Sequence, residues 1–183
     1  MLEIKFDDEK LKKIQRELRA FPKALPKVMS RGLNRTATSA RTEISRSLAG
    51  RIGLRIKDVR DKLSLQRATY SNWRSAVGVS GKKFGLIKFG ARQTKKGVTY
   101  RLKQKRVLIR HAFIASMKTG HRGVFLRKGA ARLPIQELRG PSLAQVYTGA
   151  QDQVNRIQAE SAARLAKNIH DQVNLILKRR LSA

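Results

Sequence analysis

Apolar residues recur along this chain with two different periods, and the change from one to the other divides it. Leu2, Ile4 and Phe6 alternate with Glu3 and Lys5, the two-residue period of a half-buried strand. Asp7 and Asp8 then stand where they can cap a helix with Leu11, Ile14 and Leu18 on one face and Pro22 as its stop. From Pro22 to Leu48 the residues Leu25, Met29, Leu33, Ala37, Ala40, Ile44 and Leu48 fall three or four apart, a single stripe over about six helical turns. Pro26 and Gly32 leave room for a late start or a kink. Lys23, Lys27, Arg31, Arg35, Arg41 and Arg46 share the opposite face with only Glu43 to offset them. A basic amphipathic helix could lie on membrane or nucleic acid, but the commoner arrangement, and the one expected here, packs the stripe on its own sheet and turns the charges to water.

Gly50 and Gly53 break this pattern, and Ile56, Val59, Arg60 and Leu63 fit one short helix. The texture then becomes extended. Leu65, Ala68 and Tyr70 precede a Ser-Asn turn signal at 71–72, and Ser75 to Val79 reads as a strand closed by Ser80-Gly81. Leu86 to Phe89 reads as a third strand, followed by a loop, ARQTKKG, ending at Gly97. Val98, Tyr100 and Leu102 alternate with Thr99, Arg101 and Lys103, so one face is apolar and the other basic. Val107 to Ile114 suggests a bent strand or two short ones, and Gly123 to Arg127 a further strand with Val124 and Leu126 on one face. Ala130 to Gly140, with Pro134 and no clear period, reads as an ordered loop. Ser142 with Gln145 and Thr148 with Gln151 both fit a capping box. Val154, Ile157, Leu165, Ile169, Val173 and Ile176 then stripe a long final helix, and Lys178, Arg179 and Arg180 stand at the negative end of its dipole.

The pattern predicts an α+β fold: an antiparallel β-sheet of short strands packed against long N-terminal and C-terminal helices. The length of 183 residues suits a single domain, with a strand and helices at 1–50, a basic β-rich core at 51–142 and the C-terminal helix at 143–183.

Forty-two Lys and Arg against twelve Asp and Glu give a formal charge of +30, far beyond what solubility needs. After Asp61 the next acid is Glu137, while Lys62 to Arg132 supplies nineteen basic residues. Such a stretch points to a polyanion or to an acidic protein surface. The candidate contacts are Lys82, Lys83, Lys88, Arg92, Lys95, Lys96, Arg101, Lys103, Lys105, Arg106 and Arg110. Scattered Lys and Arg suffice for phosphate contact. Base stacking asks for exposed aromatics, and here only Tyr70, Trp73, Tyr100, Phe84, Phe89, Phe113 and Phe125 are at hand, several of them at core-facing places.

Chemistry finds little to work with. The chain has no Cys, so thiol nucleophiles and Cys-based metal sites are excluded, which fits a reducing cytoplasm. His111, His121 and His170 lack metal-pair spacing. Asp58 and Asp61 lie three apart and could hold a divalent ion, yet Arg55, Lys57 and Lys62 beside them make ion pairing the expected role. The run GVSGKK at 78–83 lacks both the first-glycine spacing and the final Ser or Thr of a phosphate-binding loop. We expect no catalytic, metal or cofactor site. Neither a signal peptide nor a membrane helix is legible, which predicts a soluble protein.

Four stretches carry a family resemblance: ALPKVMSRGLNRTATSARTEISR (24–46), FGARQTKKGV (89–98), HAFIASMKTGHRGVFLRKG (111–129) and LPIQELRGPS (133–142). With the closing helix, they resemble the minor tail protein Z, or tail-completion, family of tailed phages and prophages over nearly the whole chain. The resemblance implies a non-enzymatic virion protein, assembled in the host cytoplasm, at the head-proximal end of the tail. Relatives in similar roles form rings on the tail tube, typically hexameric. It implies as partners further copies of the chain, the tube or terminator protein and the head-neck connector proteins. The family assigns no active-site residues. The basic stretch is then open to two partners, genomic DNA in the lumen or an acidic protein ring, and nonspecific nucleic-acid binding, of a packaging or ribosomal kind, is the competing reading.

Overall fold

A switch from helical to extended structure does occur where the period changes. The computed structural model describes residues 2–4, 8–17, 22–102 and 105–181. Phe6, Leu18 and Lys103 lie outside the described residues, as do the side chains of Leu11 and Arg180. The fold is α+β, with small antiparallel sheets and long helices toward both ends. Contacts divide the chain into two units: residues 1–45, 63–79 and 150–183 form one, residues 46–62 and 80–149 the other.

The first unit holds β1 (Leu2–Ile4), α1 (Asp8–Glu17), most of α2 (Leu25–Ile52), β2 (Leu63–Gln66), β3 (Ser75–Val79) and α5 (Gln151–Leu181). Its sheet runs β1-β3-β2, with Leu2 and Leu65 both opposite Val77. A 3-10 turn at Pro22–Ala24 leads into α2, and Pro26 falls in that helix's first turn, where a missing N–H costs nothing. The predicted stripe is the buried one: Met29, Leu33, Ala37, Ala40, Ile44 and Leu48 are all sequestered. On α5 the buried residues include Val154, Ile157, Leu165, Ile169 and Val173, with Ser161 and Asn168 among them.

The two helices meet closely because Gly32 has no side chain; a Cβ there would lie 2.5 Å from Ile169 Cγ1. Beside this contact Asn168 Nδ2 donates to Thr36 Oγ1 (2.9 Å), whose hydroxyl donates to Gly32 O (2.9 Å), so these two buried side chains are partnered. Arg164 pairs with Glu43 across the same helices at 2.5 Å. Asn34 grips the segment after β2 twice, donating to Ala68 O and accepting from Ala68 N.

The second unit begins with the last turns of α2 and contains α3 (Ile56–Arg60), β4 (Lys83–Gly85), β5 (Arg92–Thr94), β6 (Gly97–Leu102), β7 (Lys105–Arg110), β8 (Phe113–Ser116), β9 (Arg122–Arg127), β10 (Ile135–Glu137), β11 (Arg139–Ser142) and α4 (Leu143–Thr148). Its strands form the sheets β11-β4, β5-β6-β7 and β10-β9-β8. Ser142 caps α4 with a full capping box, Gln145 N to Ser142 Oγ and Ser142 N to Gln145 Oε1. Thr148 is not a second cap; it ends α4, and its hydroxyl donates to Ala144 O. Arg51 Nη1 donates to Gly149 O at 2.8 Å, tying the end of α2 to the break after α4.

Several expectations for this unit are corrected. Leu86–Phe89 is a 3-10 turn, with the strand on Lys83–Gly85 before it. Leu86 and Phe89 are the buried pair, and an i, i+3 spacing is the period of a 3-10 turn, not of a strand. The ARQTKKG loop contains β5, leaving Lys95 and Lys96 as the turn of a hairpin with β6. The aperiodic segment 130–140 carries β10 and the start of β11, pairing with β9 and β4; its Leu133-Pro134 bond is cis. On β9 Phe125 is buried as well as Val124, so both faces of that strand are covered.

Candidate interaction surface

Charge is distributed unequally between the units. The second holds twenty-three Lys and Arg against three acids, Asp58, Asp61 and Glu137, and so carries two-thirds of the +30. Two of those acids are neutralised internally. Asp58 accepts from Lys88 Nζ at 2.5 Å, in place of the expected partners Lys57, Lys62 or Arg55. Adjacent positions on a helix diverge, so Lys57 cannot face Asp58. Glu137 accepts from Arg139 Nε and Nη2 (3.0 and 2.7 Å) and lies 2.9 Å from His121 Nε2. Burial alone would push the Glu137 carboxyl up, but the hydrogen bonds from Arg139 and His121, with their charges, hold it below the usual carboxylate range.

The register of the β5-β6-β7 sheet sorts the basic residues. Arg92 lies opposite Thr99, Thr99 opposite Leu108, Arg101 opposite Arg106 and Gly97 opposite Arg110. Side chains two apart or directly paired share a face. Arg92, Arg101, Arg106 and Arg110 therefore stand together with Thr94, Thr99 and Leu108, and all four arginines are exposed. Val98, Tyr100, Leu102, Val107 and Ile109 occupy the other face, as the alternation in β6 predicts. Gly97 lets the strands approach at φ 147°; a Cβ there would collide with the Ile109 carbonyl.

The remaining candidates lie apart from this row. Lys95 and Lys96 project from the β5–β6 turn, Lys82 precedes β4 and Lys83 begins it, Lys88 is engaged with Asp58, and Lys105 falls on the apolar side of the register. Lys103 is outside the described residues. Phe84 and Phe89 are buried edge to face, and Tyr100 meets Phe89 in the same way, so these rings serve the core and not base stacking.

Two features escaped the sequence reading. On β7, Val107 and Leu108 are 37% and 40% exposed. Beside them lies an apolar groove of about 1110 Å³ lined by Ile52, Leu102, Val107, Pro141 and Val146. That β7 ends the sheet is a nonlocal fact, which no local pattern announces. Among the described residues no three His, Asp or Glu side chains gather as a metal site, and no helix is long and apolar enough to cross a membrane.

What this arrangement offers is an exposed, strongly basic face on a scaffold of small antiparallel sheets. The family model for prophage minor tail protein Z (GPZ) matches residues 9–180, and the chain belongs to that family. It is thus a structural protein of a phage tail and a component of the virion. No curated protein and no solved structure matches the chain.

Proposed function

We propose that the chain completes the head-proximal end of the tail as a subunit of a ring, a hexamer, that sits on the tail tube and lets the tail join the filled head. The observation that carries this reading is the arginine face. Arg101 and Arg106 are directly opposed across β6 and β7 with no acid on their side. Like charges in that position destabilise a sheet, so the isolated subunit bears a cost that an acidic partner surface would relieve. Family membership supplies the setting, a phage tail.

Size-exclusion chromatography with light scattering tests the ring: a mass near six times 20.7 kDa is expected, alone or on addition of tail tubes. A protein that stays monomeric with tubes present contradicts it. A second reading, nonspecific contact with genomic DNA, is favoured by the exposed arginines gathered on one face, since guanidinium groups serve phosphate oxygens without reading bases. It predicts binding to any duplex with a steep salt dependence.

A further inference from the structure

We propose that β7 accepts an added strand: an extended segment of another virion protein, with acidic residues alternating with apolar ones, pairs along Lys105–Arg110. This deepens the docking reading above and rests on it. The edge itself is the first observation. β7 ends the order β5-β6-β7, and among the described residues nothing pairs with its outer side. Its six residues are exposed or half-buried throughout. An open edge strand of this length with exposed apolar residues is a template for further pairing.

Backbone direction fits the same use. His111 N–H turns back to Lys96 O at 3.1 Å, toward β6. The alternation of strand amides then aims the N–H groups of Arg106, Leu108 and Arg110 away from β6, toward an incoming chain.

The two sides of the edge set the partner's chemistry. Residues of an added strand on one side would meet Arg106 and Arg110, with Arg101 and Arg92 behind them. Those on the other side would meet Val107 and the apolar groove, whose lining residues Leu102, Lys105 and Val107 share that register face. Acidic and apolar positions in alternation satisfy both sides at once. A second β7 is a poor occupant, because it would set Lys105, Arg106 and Arg110 against more of the same charge. The chain's own alternating segment, Leu2–Ile4 with Glu3, is already paired with β3.

The test uses the full-length chain and a labelled peptide of alternating Glu and Val, long enough to span β7, in about 0.15 M salt, where screening acts beyond ~8 Å. Fluorescence anisotropy should show it binding at least about tenfold tighter than an isomer with its Glu and Val in separate blocks. N-methylation of alternate peptide amides should abolish that advantage. Leu108→Pro removes an outward N–H while keeping every charge, and should weaken binding by a similar factor, with Leu108→Ala binding like the parent. If Leu108→Pro fails to fold, the N-methylated peptide decides. Equal binding of the block isomer, or a random-sequence DNA duplex that binds as tightly and ignores Leu108→Pro, overturns the proposal. Either failure leaves the ring mass and tail joining to be judged by their own assays.

Discussion

Glu137 is the only acid between Asp61 and Asp152, and it is spent inside the molecule, on Arg139 and His121. Its lowered pKa carries a sign. The contribution to stability is complete above the unfolded carboxylate value of about 4.3 and is lost as pH falls through the lower folded value. Melting temperature measured from about pH 6 down to pH 3 should therefore fall more steeply for the parent than for Glu137→Gln. Equal slopes would mean that the pairing adds nothing. The sequence marked Glu137 only as the end of an acid-free run; its partners come from β11 and from the segment before β9, and no local pattern announces them. His111 is a similar case. The stretch from 107 to 114 read as a bent strand or two short ones; the break that makes it two rests on one left-handed residue, φ 59°, a conformation that His tolerates better than β-branched residues do.

Helices were the most legible elements, because their stripe is a local period and the residues on it, from Met29 to Leu48 and from Val154 to Val173, are those the core takes up. Short strands were less so. β10 and β11 contain Glu137, Arg139, Gly140 and Pro141, which no strand propensity favours, and they are strands because β9 and β4 lie beside them. Gly32 was read as leaving room for a kink in α2; it is the close-approach point with α5. Helix propensity predicts that Gly32→Ala stabilises by about 1 kcal/mol. The Ile169 contact predicts the reverse, a loss of about 1–3 kcal/mol from overpacking. Denaturant unfolding decides the sign. Adding Ile169→Ala, which removes the obstructing Cγ1, should make the pair of substitutions less harmful than the sum of the two alone.

On the scale of the molecule, charge is the property that composition gave away most clearly and explained least. It was visible that Lys62 to Arg132 lacked acids; it took the register of three strands to gather four of the arginines on one face and to leave Lys95 and Lys96 at a turn. The double substitution Lys95→Glu, Lys96→Glu changes exposed side chains and should alter folding stability by no more than about 0.5 kcal/mol per site. On the proposed docking, assembly should respond more strongly, with a clear drop in joined particles, because two exposed positive charges of the basic unit become negative. Loss of folding without a loss specific to joining would remove the turn from that surface.

The most direct test of the account is electron microscopy, with an infectivity count, of particles assembled without this chain. Tails of otherwise normal form that stay apart from filled heads are the predicted result, restored by supplying the protein. Joined, infectious particles in normal number would contradict it.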